Sequence, residues 1–140
     1  VIIGRGYNYA TSFELSLKLK ELTYVMATGY SSADFRHGPI ATIETGLPVF
    51  LIMPAGATFD DMLDLAEELP RRGAELVVIS ESKQALSLAR TALPIPPGVP
   101  EWLSPLTAIV PGQLFALYLT LTKGLNPDIP RSLHKVTRTL

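Results

Sequence analysis

An α/β fold, with a mostly parallel five-stranded sheet between two layers of helices, is predicted by three features of this 140-residue sequence. Short continuous apolar runs alternate with segments of helical period, as in βαβ units. The two strongest runs, PVFLIM at 48–53 and ELVVIS at 75–80, have the unbroken apolarity of strands buried on both faces. Each is followed by turn residues and then by a helix-like stretch.

The elements follow in order. Residues 1–3 (VII) form a first strand, closed by Gly4 and Gly6 in a tight turn. Residues 10–23 have a helical period: Leu15, Leu19 and Leu22 recur on one face, Phe13 and Leu17 widen the stripe, and Thr11 or Ser12 is placed to cap its start. Residues 24–27 (YVMA) read as a brief strand. After the 48–53 strand and its turn, Thr58 or Asp60 caps a helix carrying Met62, Leu65, Ala66 and Leu69, which stops at Pro70 and Gly73. The 75–80 strand leads to a short helix over 82–89, a short strand over 92–95 and a Pro-rich loop over 94–100. A long apolar helix spans 102–123 and stops at Gly124, leaving 126–140 as a polar, irregular tail.

The length is that of one domain. With 47% apolar and 18% charged residues the composition is globular rather than disordered. Twelve basic against thirteen acidic residues give no electrostatic ground for a nucleic-acid or anionic-membrane partner. Cysteine is absent, which excludes disulfides and thiol catalysis. With His37 and His134 as the only histidines, no metal site is expected. Each apolar run, the nearest being 106–122, is broken before the ~18 residues that a membrane span needs. The opening residues lack the parts of a signal peptide, and the chain starts abruptly within an apolar run, as a piece of a longer protein would.

Four segments carry candidate chemistry. Gly4-Arg5-Gly6-Tyr7-Asn8-Tyr9 joins strand to helix beyond the carboxyl end of the first strand, where α/β sheets bind ligands and helix amides favour an anion such as phosphate. It is not a dinucleotide fingerprint, since Tyr9 stands in the place of the third glycine. Read plainly, it is a tight turn that needs glycine for close approach. Glu14, Lys18 and Glu21 share one helix face: either a solvated face with an ordinary ion pair, or a carboxylate tuned by a lysine for proton transfer. Arg36-His37-Gly38-Pro39 holds His37 in a turn, where an imidazole is either merely exposed or moves protons near neutral pH. In the tail, Pro130-Arg131-Ser132-Leu133-His134-Lys135-Val136-Thr137, the apolar Leu133 and Val136 suggest docking, which would deliver the Lys135 amine to a pocket as a Schiff-base former.

Together GRGYNY, FELSLKLKELTY, ADFRHGPIA and PRSLHKVT, in this order and over essentially the whole chain, resemble the sugar isomerase (SIS) domain family. The likeness is greatest to the second SIS domain in the isomerase half of the glutamine–fructose-6-phosphate amidotransferases. The resemblance implies a three-layer α/β/α SIS fold as a single domain over residues 1–140, the C-terminal member of a pair. It implies a phosphosugar aldose–ketose isomerase or aminotransferase acting on fructose 6-phosphate or glucosamine 6-phosphate, cytoplasmic and dimeric, with no metal or nucleotide cofactor. Glu21 would shuttle a proton between C1 and C2 of the open-chain sugar, with Lys18 assisting and Glu14 as an acidic neighbour. His37 would open the sugar ring from the neighbouring subunit, and Lys135 would form a Schiff base with the ketose carbonyl. Gly4, Arg5, Gly6 and His134 are the accompanying candidates for substrate binding.

The sequence departs from the family in placing Asp34-Phe35-Arg36 before His37, where members often have Glu-Leu-Lys; charge is kept at both ends. In the resembled enzymes the Ser/Thr-rich loops that hold the sugar phosphate belong to a first SIS domain, so such a domain on the same full-length chain is the expected partner. No nucleophile cysteine for glutamine hydrolysis is present. An amino-sugar-phosphate or ketoamine deaminase, and a non-catalytic phosphosugar-binding regulatory module, are the alternative readings of the same resemblance.

Overall fold

The computed structural model describes residues 1–132. Its sheet contains β1 (Ile2–Gly4), β2 (Gly29–Ser31), β3 (Pro48–Ile52), β4 (Glu75–Ser80) and β5 (Thr91–Pro94), in the order β2-β1-β3-β4-β5 and parallel throughout. Side chains alternate across a strand, so each strand feeds two cores. Ile3, Val49, Leu51 and Val78 pack with Phe35, Met62, Leu65 and Ala85 from α2 (Ser32–Arg36), α3 (Phe59–Glu68) and α4 (Lys83–Ser87). Ile2, Phe50, Ile52 and Ile79 pack with Leu15, Leu19, Ala108 and Ala116 from α1 (Asn8–Lys18), the turn after it and α5 (Ser104–Thr122). The result is the three-layer sandwich expected, with its sheet wholly rather than mostly parallel.

The strong apolar strands and the helices α3 and α4 lie close to their predicted places, while α2 was not predicted. Ser82 caps α4 by accepting the Ala85 N–H, and Gly73 at φ +96° closes the 3₁₀ turn Leu69–Arg72 that continues from α3. Thr58 is the residue before α3 but makes no side-chain cap bond. Three readings are corrected. Residues 24–27 are not a strand; the pairing strand is the nearby Gly29–Ser31, at the sheet edge. Thr11 and Ser12 do not cap α1, which starts at Asn8; both are buried within it. Phe13 and Leu17 do not widen the buried stripe, being about half exposed.

The reason lies beneath the helix. A Cβ on Gly4 would meet the Asn8 carbonyl oxygen at 2.1 Å, and one on Gly29 would meet the Ser12 carbonyl oxygen at 3.0 Å. The α1 backbone therefore rides directly on β1 and β2. Small polar side chains fill the contact, and their hydroxyls are satisfied locally: Ser12 donates to the Tyr9 carbonyl and Ser16 to the Ala27 carbonyl.

α5 inverts the usual pattern. Its buried side is small (Ser104, Ala108, Gly112, Ala116 and Thr120), spaced four apart so that Leu15 of α1 packs against Gly112. Its large residues Leu106, Val110, Leu114, Tyr118 and Leu121 face outward. With the 3₁₀ turn Glu101–Leu103 the helix reaches 22 residues with mean hydropathy 1.3, long and apolar enough by length and composition to cross a membrane, contrary to the sequence expectation. Only 22% of that apolar window is buried.

Candidate active site

α1 leaves the carboxyl end of β1 and must run back along the sheet toward the start of the next strand. Its last turn therefore lies at the opposite end of the sheet from the Gly4-Arg5-Gly6 turn. Leu19 accordingly lines one apolar cavity with Val1, Leu47 and Pro48. The helix does not end regularly. Residues Leu19–Thr23 form a π-helical turn, and Tyr24 after it is left-handed at φ 60°, ψ 22°. Such turns and such non-glycine conformations are uncommon and concentrate at functional sites. Here the π turn carries Glu21. It is held by the Thr23 hydroxyl, which donates to the Leu19 carbonyl at 2.6 Å, and by Lys123 Nζ, which donates to the Thr23 carbonyl at 2.6 Å from the end of α5.

On this turn the predicted cluster assembles. Lys18 Nζ donates to Glu21 Oε2 at 2.9 Å and lies 3.7 Å from Glu14 Oε1. The hydrogen bond to Glu21 raises the Lys18 pKa above the usual lysine value; burial pulls the other way, and the Glu14 and Glu21 charges add to the rise. Lys18 is therefore a fixed cation at neutral pH, suited to orienting Glu21 and to stabilising negative charge on a neighbouring oxygen, and unsuited to acting as a base. Lys18 and Glu21 are each 30% exposed, so the pair is accessible to a ligand. Glu14 borders a shallow groove between α1 and α5, shared with Leu106 and Ile109.

The other predicted residues lie elsewhere. Gly4, Arg5 and Gly6 sit at the far end of α1, about 20 Å of helix away from Glu21. The expectation of free anion-binding amides there is not met at Asn8 and Tyr9, whose N–H groups donate to the Arg5 and Gly6 carbonyls. Arg5 is also engaged: its guanidinium lies 2.8 Å from Asp61 and 3.2 Å from the Ser32 hydroxyl, which itself donates to Asp61 at 2.5 Å. Arg36 joins this network by donating to the Asp61 carbonyl and to Glu68, fastening α2 to α3. His37 follows α2 as an exposed residue, in the helical layer across the sheet from Glu21. Within one chain His37 and Glu21 do not meet. His134 and Lys135 lie outside the described residues.

Burial alone would raise the Asp61 pKa, but the hydrogen bonds from Ser32 and Arg5 and the charges of Arg5 and Arg36 outweigh it, holding this carboxyl below its ordinary 3.8. A carboxyl whose folded pKa is depressed stabilises the fold above its unfolded pKa, and that contribution is lost as pH falls through the lowered value. The stability difference between the wild type and Asp61→Asn should therefore shrink as pH is lowered from about 6 to about 3, as urea unfolding at each pH would record.

Sequence reasoning missed Tyr24, Lys123 and the Asp61–Ser32 link. Each pairs residues far apart in the chain, and no local pattern announces it. The Tyr24 hydroxyl accepts the Arg131 backbone N–H at 2.8 Å, and its ring lies 4.4 Å from the Arg131 guanidinium carbon.

The SIS domain family matches residues 1–123. The glutamine–fructose-6-phosphate aminotransferase [isomerizing] of Pyrococcus horikoshii is 45% identical over 133 residues, which are 95% of this chain and 22% of that protein. Among solved structures, the C-terminal domain of glucosamine-fructose-6-phosphate aminotransferase from Francisella tularensis superposes with a TM-score of 0.80 at 27% identity, covering 90% of this chain and 36% of that one. Glucosamine-6-phosphate deaminase from Thermotoga maritima superposes with a TM-score of 0.74 at 25% identity, covering 96% and 38%. The chain spans about a fifth of the length of the curated relatives it matches. By sequence match and by fold, it belongs to the SIS domain family.

Proposed function

We propose that this domain is the C-terminal SIS unit of a phosphosugar aldose–ketose isomerase and aminotransferase acting on fructose 6-phosphate or glucosamine 6-phosphate. The observation that carries the reading is the Glu14–Lys18–Glu21 cluster on a π-helical turn, in a chain 45% identical to an isomerising aminotransferase. Exchange between aldose and ketose requires one base to take a proton from one carbon and return it to the adjacent one, while negative charge on the carbonyl oxygen is stabilised. Glu21 takes the first role and cationic Lys18 orients it. Lys135 forms the Schiff base with the ketose carbonyl. His37 opens the ring in the site of a second copy, a role in keeping with its place across the sheet from its own Glu21.

The partner of this unit is a first SIS domain on a longer chain, which supplies the phosphate-binding loops and seats on the outer face of α5. Two observations support that occupant. The relatives extend far beyond the matched segment, and Leu106, Val110, Leu114 and Tyr118 form an apolar stripe beside the groove that holds Glu14. In the full-length protein Leu114→Glu should lower stability by about 2 kcal/mol, because it buries a charge in that interface; thermal unfolding reads the change.

Assay of the full-length protein with fructose 6-phosphate plus glutamine or ammonium tests the activity. Formation of glucosamine 6-phosphate is the expected result. Net deamination of glucosamine 6-phosphate without synthesis would favour a deaminase, the activity named for the Thermotoga maritima neighbour. Binding without turnover would make this a regulatory module.

A further inference from the structure

We propose that Thr23 is a positioning residue that holds the π turn in shape and so aims Glu21, with Lys123 as its outer clasp. The proposal rests on the role given to Glu21 above. Hydrogen bonds in a π turn run from residue i to i+5, one residue more than in an α-helix, and such turns are rare. The extra residue sets where the side chains of the turn point, since one residue is about 100° around a helix. Glu21 stands in the middle of the turn Leu19–Thr23, so its direction, and its 2.9 Å contact with Lys18, depend on both ends staying in place.

Thr23 fastens both ends. It is fully buried, and its hydroxyl donates to the carbonyl of Leu19, the first residue of the turn, at 2.6 Å. The same oxygen accepts the N–H of Val25 at 3.3 Å, beyond left-handed Tyr24. One hydroxyl thus serves as donor and acceptor, closing the turn and the chain reversal after it. Thr120 makes the corresponding bond to Ala116 within the regular helix α5, so that bond alone does not make a π turn. What is particular to Thr23 is the second bond, together with its carbonyl, which accepts Lys123 Nζ at 2.6 Å across 100 residues of sequence. An ammonium at the carbonyl end of a helix is favourably placed against the helix dipole, and here it comes from another helix.

The test is the rate of C1 deuterium exchange of fructose 6-phosphate in D₂O with the full-length protein, measured beside a melting curve. Thr23→Val keeps the branched shape and removes the hydroxyl. Its limiting rate should fall by about 10²-fold, the scale on which small misplacement of a reacting group acts, with the half-saturating concentration little changed. Thr23→Ser keeps the hydroxyl and should recover most of that loss. Lys123→Met keeps the apolar stem and should slow exchange about 5-fold, with Lys123→Arg recovering most of it. A residue that acts through Glu21 has nothing left to act on once the carboxylate is gone. Thr23→Val combined with Glu21→Gln should therefore be no slower than Glu21→Gln alone, within about 2-fold.

A further loss of about 10²-fold in the double variant would overturn the proposal while leaving the role of Glu21 intact. Wild-type exchange in Thr23→Val beside slow exchange in Glu21→Gln would do the same. Wild-type exchange in Glu21→Gln would instead sink that role, and the proposal with it. If Thr23→Val shows no cooperative melting, Lys123→Met with and without Glu21→Gln decides. A loss confined to the chain that keeps Glu21 supports the proposal, and an equal loss in both, or none, contradicts it.

Discussion

Replacing Glu21 by Gln in the full-length protein should reduce interconversion of the sugar phosphates by about 10³-fold, with the domain still folded. The amide has nearly the shape of the carboxylate and still offers an oxygen to Lys18, so the 2.9 Å contact and the π turn can persist. What it cannot do is accept a proton from carbon. The loss should fall on kcat more than on KM, because in the proposed role the carboxylate acts in the transition state and not in holding the phosphate. Steady-state kinetics beside a melting curve separate this from misfolding.

The second large effect is on stability. Gly4→Ala should cost at least about 3 kcal/mol, measured by urea unfolding, because the new methyl group would stand 2.1 Å from the Asn8 carbonyl oxygen. Neither partner can retreat. Gly4 lies in β1, paired on both sides by β2 and β3. Asn8 is pinned by its N–H to the Arg5 carbonyl, by its side-chain amide to the Ser104 hydroxyl at 2.7 Å and by the Thr11 hydroxyl. Against a total stability of ~5–15 kcal/mol for a domain, such a loss is large. The tight-turn reading of this glycine is thereby favoured over a ligand-binding one: the turn's geometry is already spent on packing and on the Arg5–Asp61 contact.

The buried strands were legible because a strand covered on both faces must be apolar at every position, as β3 and β4 are. β2 was not legible, since three residues at a sheet edge, Gly29–Ser31, need no apolar run. The apolar Tyr24–Ala27 stretch beside it misled for the same reason. Apolar side chains also misled on the helices. α1 presses small residues onto glycines of the sheet and turns Phe13 and Leu17 outward, and α5 does the same with Leu106, Val110 and Leu114. Their size suits a surface on which the first SIS domain is proposed to seat, and sequence periodicity cannot tell such a face from a core.

In the site, the Glu14–Lys18–Glu21 face followed from helical spacing alone, and their mutual distances agree. The π turn, left-handed Tyr24 and the grip of Lys123 on Thr23 did not, because they are set by contacts between chain ends about a hundred residues apart. The separation of His37 from Glu21 by the sheet was likewise invisible in the sequence, though a role in a second copy's site had been implied by family resemblance.

In the proposed mechanism Glu21 carries a proton between neighbouring sugar carbons. Exchange of a C1 hydrogen of fructose 6-phosphate with solvent in D₂O, followed by NMR with the full-length protein, tests it most directly. Deuterium should enter at C1 with the wild type and almost none with Glu21→Gln. Exchange at the wild-type rate in Glu21→Gln would contradict it.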